Sequence, residues 1–391
     1  MNYRKYGDDV DFELYNLKAN ENLCYEHLNA DFINREIEHN GEIRKCTYCH
    51  KSRKTYKLSQ VLELLIVGIE YLFEDPANSR YLNKESLHGF DGNTFNFYEI
   101  WYDDYLELKI DDSQLFDDIY NYLNNDSIYC YKDEFTSEAE FLDDLWSLFK
   151  KTVKHNARYV FHFEDVFKAH GYTDPVDILS MVQNLIHNLD IFTYLKKGTN
   201  LYRCRQHENL DDIKEDYQLA SVPDVYNKKN GRMNPAGISM FYCSKNKSLS
   251  IKEVVDQTNT SKPYYTTGIF STNSEIKLVN LSNLPKRPSI FDKKNNDFID
   301  AIDFLYEFVK NITQPIHSKD SIIEYVPTQI VTEYIRFNPK LAVDGIIYPS
   351  AKDNSFNNIV LFFNNQESLE KLTFDKSSLE TVQFKNTLQS V

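Results

Sequence analysis

A change of period near residue 191 constrains this chain more than any other feature. Before it, apolar residues recur three or four apart: Leu62, Leu65, Ile66, Ile69, Leu72 and Phe73; then Leu115, Phe116, Ile119, Tyr120 and Leu123; then Phe141, Leu142, Leu145, Trp146 and Phe149; then Ile178, Leu179, Val182, Leu185, Ile186 and Leu189. That spacing puts each set on one helix face. Ser59 stands where a cap belongs and Pro76 where a helix ends; Ser137 with Glu140 reads as a capping box; Asp174-Pro175 opens the last helix with proline at its first position. Beyond residue 191 come short β-like runs, Ile238–Cys243, Tyr265–Ser271, Ile276–Leu281, Asp344–Tyr348 and Ile359–Phe363, separated by turn residues such as Asn230-Gly231, Asn234-Pro235 and Asn354-Ser355. Helical patterns interrupt them at 251–256 and 297–311. The expected fold class is therefore α+β, an all-α region followed by a mixed one, with no internal repeat. The expected domains are a polar segment 1–58, a helical domain 59–190 and a mixed domain 191–391.

Segment 1–58 has little with which to build a core, yet it holds Cys24, His27, Cys46, Cys49 and His50. Ligands two residues apart, as in Cys24-x-x-His27 and Cys46-x-x-Cys49, can be aimed by one knuckle turn at a single ion, and a second pair completes a tetrahedron. The expected site is a structural zinc on Cys24, His27, Cys46 and Cys49, with His50 as the alternative to His27. Four protein ligands leave no open position for chemistry, and so polar a segment needs such a staple. The competing reading is a chance CxxC beside a buried cysteine. Six cysteines in 391 residues are too few for a disulfide scaffold, so a reducing cytoplasm is the expected compartment.

Charge narrows the partners. Lys+Arg number 44 against 59 Asp+Glu, a formal net charge of −15, which argues against broad contact with nucleic acid or an acidic membrane. Any anion must be met by a local cluster of cations. Spanning a bilayer takes roughly 18 or more uninterrupted apolar residues, and the best run, Val61–Phe73, carries Glu63 and Glu70. No apolar core of a signal peptide stands at the N-terminus.

Several unusual pieces lie in the second half: Tyr202-Arg203; Gly231-Arg232-Met233-Asn234-Pro235-Ala236-Gly237-Ile238; Phe241-Tyr242; Lys252-Glu253; the run from Glu324 to Arg336; Asp344-Gly345-Ile346-Ile347-Tyr348-Pro349-Ser350; and Asn358. Each has a bland reading. Arg203 and Arg232 suit an acidic surface, Ser250-x-x-Glu253 suits a capping box, Tyr242 a core and Ser350 a turn. Together and in this order, over residues 191–364, they resemble a RES domain, a family named for Arg, Glu and Ser. The first half, with its Cys/His pairs and Lys154-His155-Asn156-Ala157-Arg158-Tyr159, is similar to the HEPN/RES N-terminal region that precedes some RES domains.

The resemblance implies a fold like that of ADP-ribosyltransferases and an NAD-degrading toxin or antiphage effector, with NAD as substrate and water or inorganic phosphate displacing nicotinamide. It implies Arg232 (or Arg203), Glu253 and Ser350 as catalytic residues, and Tyr202, Arg203, Asn234, Tyr242 and Asn358 as binding residues. The chemistry suits these types. Arginine's fork matches phosphate oxygens, an aromatic ring stacks on a cationic pyridinium, and a carboxylate stabilises the charge that develops on ribose as the N-glycosidic bond breaks. Ser350 would hydrogen-bond the amide or the ribose. The alternatives are an ADP-ribosyltransferase that modifies a macromolecule and a catalytically silent zinc-knuckle binding module. A regulatory or antitoxin protein and a second copy of the chain are the expected macromolecular partners. The Arg–His spacing of HEPN ribonucleases is matched only by Arg44 and His50, inside the cysteine knuckle, so no nuclease is expected.

Overall fold

A computed structural model describes residues 19–78, 94–102, 106, 108–110, 112–123, 128–132, 138–159, 175–314, 321–353 and 355–384. The chain forms two compact units, Met1–Leu142 with Lys286–Asp303, and Asp143–Pro285 with Phe304–Val391. Ser137, Asp174 and the side chains of Phe141, Leu142 and Leu145, all named above as helix signals, lie outside the described residues.

The first unit opens with β1 (Asn22–Cys24), α1 (Asp31–Asn40), β2 (Glu42–Lys45) and β3 (Ser52–Lys57), the strands pairing antiparallel in the order β1-β3-β2. The polar segment is thus a small folded module. Next comes α2 (Leu58–Leu72). Its cap is Lys57, not the expected Ser59: Gln60 accepts from the Lys57 N–H at 3.0 Å, so the helix begins before the serine and ends before Pro76. Short strands β4 (Phe73–Glu74), β5 (Phe95–Asn96) and β6 (Ile128–Tyr131) form a second sheet among α3 (Phe97–Tyr102) and α4 (Ser113–Leu123). The helix faces read from the sequence are the buried ones: Val61, Leu62, Leu65 and Ile69 pack with Leu115, Ile119 and Leu123.

The second unit holds α5 (Glu138–His155) from Asp143 onward, α6 (Pro175–Asn188), β7 (Phe192–Leu195), β8 (Asn200–His207), α7 (Asp216–Leu219), β9 (Phe241–Ser244), α8 (Lys247–Val254), β10 (Tyr264–Thr272) and β11 (Ile276–Asn280). Then follow α9 (Ile299–Thr313), which enters from the first unit, α10 (Ser321–Glu324), α11 (Val326–Phe337), β12 (Gly345–Pro349), β13 (Asn357–Leu361), α12 (Asn365–Lys371) and β14 (Leu372–Gln383). Eight strands make one sheet, β14-β10-β8-β9-β13-β12-β11-β7, parallel only at β11–β12. The α+β class holds, and each of the five β-like runs contains a strand, the first only from Phe241; the helical region 59–190 is not all-α, because β4, β5 and β6 pair within it, strands too short to show a period in the sequence.

Sheet register decides what each residue faces. Tyr202 pairs with Ser244, Ser244 with Asn358, and Asn358 with Tyr348. Alternation puts these four on one face, with Tyr242 two residues along β9. Leu201, Phe241, Ile359, Ile347 and Phe270 point to the other face and form its core, where the Phe241 and Phe270 rings meet edge-on at 5.1 Å. Burying each such ring contributes about 1.5–3 kcal/mol. Arg203, between Tyr202 and Cys204, shares this second face, and its guanidinium lies 4.5 Å from the Phe241 ring centre.

Candidate functional site

A cavity of about 510 Å³ opens in the second unit, lined by Arg203, Arg232, Tyr242, Glu253, Tyr325, Tyr348, Lys352 and Asn358 among others. That volume falls in the range of small-molecule sites, about 300–1,000 Å³. Three elements bring its chemistry together: the last turn of α8, the turn after β12, and the loop that carries Arg232.

Glu253 is the next-to-last residue of α8. The helix is capped by Asn246, whose side chain accepts from the Leu249 N–H at 2.9 Å. Ser250 is inside the helix, its hydroxyl donating to Lys247 O at 2.8 Å, so the capping-box reading of Ser250-x-x-Glu253 does not hold. The carboxylate sits at the negative end of the helix dipole, where it costs stability rather than adding to it. Two donors hold it. The Ser350 hydroxyl donates to Oε1 at 2.5 Å and Asn358 Nδ2 donates to the same oxygen at 2.8 Å. Among the described residues Oε2 takes no hydrogen bond and Glu253 makes no ion pair.

Ser350 has one proton to give and two lone pairs. Backbone N–H groups of Lys352 and Asp353 donate to its Oγ at 3.0 and 3.1 Å, so its proton is committed to Glu253. The side chain expected to touch substrate therefore orients the carboxylate instead.

The loop bearing Arg232 is stiffened from within. Tyr242 donates its hydroxyl proton to Asn234 Oδ1 at 2.5 Å and accepts from the Met233 N–H at 3.1 Å. Gly231 is needed because a Cβ there would meet Asn234 Oδ1 at 2.3 Å and the Tyr242 oxygen at 2.7 Å. From α11, Gln329 Nε2 donates to Gly231 O at 2.8 Å and Asn234 O at 3.1 Å, and the Thr328 hydroxyl donates to Arg232 O at 2.8 Å. Arg232 Nη1 donates to Ile312 O and, at 3.0 Å, to Gln314 O, satisfying the end of α9, while its guanidinium lies 5.3 Å from the Tyr325 ring centre. Its Nε and Nη2 take no partner among the described residues.

Arg203 is buried, 7 % exposed, and donates to Leu219 O at 2.6 Å, Tyr242 O at 2.6 Å and Ala220 O at 3.1 Å. Burial first, then the Arg205 cation, lowers its pKa. It ties α7 to β9. Among the described residues no carboxylate pairs with Arg203, Arg205 or Arg232. Asn234 organises the loop and Tyr202 shares the sheet face of Tyr242, but neither lines the cavity. Tyr325, Tyr348 and Lys352, absent from the sequence-based site, do line it. The Tyr242 and Tyr348 phenols are raised above their usual range by burial and stay protonated, and burial pushes the Cys204 and Cys243 thiols up to about 12, which removes them as nucleophiles.

In the first unit, the candidate ligand atoms of Cys24, His27, Cys46 and Cys49 all lie within 4.8 Å of one another. Cys24 Sγ is 3.7 Å from Cys49 Sγ, and Cys46 Sγ is 3.4 Å from His27 Nε2. A tetrahedral ion with Zn–S bonds of about 2.3 Å has S···S edges of roughly 3.8 Å. The donor set and its spacing fit a metal. His27 Nδ1 faces Asp112 Oδ2 at 3.5 Å, as an outer carboxylate fixes a ligating imidazole. His50 stays outside the cluster. Its backbone takes a φ of 60° and donates to Cys46 O at 3.0 Å, closing the knuckle turn.

Comparison with protein families decides the assignment. The pattern described as HEPN/RES N-terminal domain 1 matches residues 39–166, and that described as RES domain matches residues 200–380. This is a RES-domain chain with a HEPN/RES-type N-terminal region. No curated protein matches the chain. The RES family points to an enzyme, a toxin-like domain acting on NAD. Among the described residues no helix is long and apolar enough to cross a membrane.

Proposed function

We propose that the chain cleaves NAD at the bond between nicotinamide and ribose and passes the ADP-ribosyl group to water or inorganic phosphate, acting as a toxin or antiphage effector. The observation that carries this reading is Glu253: both donors occupy Oε1, and among the described residues Oε2 carries none and no cation pairs with the carboxylate. As the C–N bond breaks, its electron pair leaves with the pyridinium nitrogen, nicotinamide departs neutral, and positive charge develops on C1′ of the ribose. A carboxylate with a free oxygen, lining the cavity, stabilises that charge or holds the ribose hydroxyl beside it. The acceptor oxygen then bonds C1′ and gives up its proton. Arg232, with Nε and Nη2 unengaged, supplies a fork for the diphosphate, and the Tyr242 ring flanks the cationic pyridinium. The Cys24, His27, Cys46 and Cys49 set, all within the first unit, is a structural zinc site that holds β1 and the knuckle together.

The test is to incubate the purified protein with NAD, with and without phosphate, and identify products by mass. Nicotinamide with ADP-ribose, or with ADP-ribose 1-phosphate when phosphate is present, is expected. NAD left intact in both conditions refutes the proposal.

A further inference from the structure

Glu253 stands on the final turn of an eight-residue helix, a place where backbone bonds run out and ends fray. A carboxylate there is placed to a fraction of an ångström only if the turn itself is tied down. The ties come from the segment after β12, and they cross. Lys252, the neighbour of Glu253, reaches out and pairs with Asp353 at 2.6 Å. Lys352 reaches the other way: its Nζ donates to Lys252 O at 2.7 Å and Glu253 O at 3.3 Å, two carbonyls that the helix leaves without partners. Asp353 is fixed in turn, its Oδ1 accepting from the Ser355 N–H at 3.2 Å and its carbonyl from the Phe356 N–H at 3.1 Å. The backbone N–H of Asp353 is also one of the two that orient Ser350. The Lys252–Asp353 pair therefore joins the two elements whose side chains, Glu253 and Ser350, must meet at 2.5 Å.

We propose that Lys252 and Asp353 are positioning residues: their ion pair, with Lys352 on the helix-end carbonyls, clasps the last turn of α8 to the turn bearing Ser350 and sets where the Glu253 carboxylate points. Neither Lys252 nor Asp353 lines the cavity, so neither touches what binds there. The consequence for turnover rests on the NAD reading given above. The clasp itself does not. Lys252 is half-exposed while Asp353 is only 17 % exposed, so the pair is partly screened by salt and partly shielded from it. Its value lies in geometry, where a misplacement of about 1 Å at a reacting group can cost roughly a hundredfold in rate.

Two measurements on full-length protein test this. The first uses no NAD. The Val255 N–H, bonded to Ile251 O at 2.9 Å, closes α8. In Asp353→Ala its hydrogen exchange is expected to quicken at least tenfold while exchange in β9 and β13 is unchanged. Unchanged exchange at Val255 overturns the clasp, whether or not the protein consumes NAD. The second is turnover at saturating NAD. Asp353→Ala is expected to lose about tenfold in kcat with KM within twofold, a split that general destabilisation does not produce. The charge-swapped pair Lys252→Glu with Asp353→Lys is expected to recover most of that loss. An active wild type with an equally active Asp353→Ala, or a swap as slow as the single variant, overturns the positioning role. A wild type that leaves NAD untouched refutes the NAD reading instead, and the exchange measurement still decides the clasp.

Discussion

Replacing Glu253 by Gln keeps the shape of the side chain and removes its charge. The amide oxygen still accepts from Ser350 at the 2.5 Å position and from Asn358 at the 2.8 Å position, so the local packing persists. What disappears is the negative charge that, in the proposed reaction, faces the ribose as it becomes cationic. At a separation of about 4 Å and an effective dielectric constant near 20, opposite unit charges attract by about 4 kcal/mol. Loss of a single preorganised stabiliser costs about 10²–10³ in kcat, or about 2.7–4 kcal/mol. The expected result is a fall of that size in nicotinamide release at saturating NAD. Stability should move little. Removing an acidic group from a helix C-terminus is worth about 0.3–1 kcal/mol. Exchanging two charge-assisted hydrogen bonds for neutral ones offsets a similar amount. Asn246, not Glu253, caps the helix, so capping is untouched. The assay is nicotinamide release followed by mass or chromatography, with thermal unfolding in parallel. A Gln variant as fast as wild type, at equal melting temperature, refutes the assignment of Glu253 as charge stabiliser.

Ser350→Ala removes the one proton aimed at Glu253 and leaves two backbone N–H groups facing a methyl; kcat should drop about tenfold, while KM for NAD stays within twofold, measured by the same release assay. Arg232→Lys gives a single ammonium in place of a fork that already serves the end of α9; KM for NAD should rise about tenfold with kcat nearly constant, and an unchanged KM returns Arg232 to a purely structural role. Freshly purified protein should carry about one zinc per chain, absent from a Cys46→Ser, Cys49→Ser double variant, by elemental analysis. The same double variant should lose the cooperative unfolding of the first unit, because structural zinc contributes about 10–16 kcal/mol of apparent binding free energy that is also folding free energy.

Much of this was legible in the sequence because period is a physical property of the backbone. Leu62, Leu65 and Ile69 share a face only if residues 58–72 are helical, and they are buried together. The strand β14 escaped because Thr373-Phe374-Asp375-Lys376-Ser377-Ser378 shows no alternation; at a sheet edge, with mostly exposed side chains, nothing enforces one. Strands of two to four residues such as β4, β5 and β6 are too short to carry a period. At the site, residue types were readable but directions were not. Asn246 and Ser250 are both good caps by composition, and only the backbone shows that the helix starts at the first and spends the second inside it. Arg203 and Tyr202 differ by one position, which on a strand means opposite faces. The lysines and tyrosines that complete the cavity, Lys352, Tyr325 and Tyr348, are common in this chain and acquire meaning only by convergence.

The charges of the cavity make a coherent demand on its ligand. On one side is a carboxylate at the negative end of a helix, with donors but no cation among the described residues. The cavity is also lined by Arg232, whose guanidinium bonds only carbonyl oxygens, keeps Nε and Nη2 unengaged and faces no carboxylate among the described residues, in a protein of net charge −15 that has acids to spare. Leaving either set uncompensated lowers stability, and joining them directly as a salt bridge would relieve both. Keeping them apart suits a ligand that carries both signs at a fixed separation: a positive ring to set against Glu253 and an anionic diphosphate to set against Arg232. A plain phosphate ester would satisfy Arg232 and leave Glu253 repelling it; a simple cation would do the reverse. NAD, with a pyridinium at one end and a diphosphate some ångströms away, meets both at once. It is also the molecule in which stabilising positive charge at the ribose, the task proposed above for Glu253, breaks a bond.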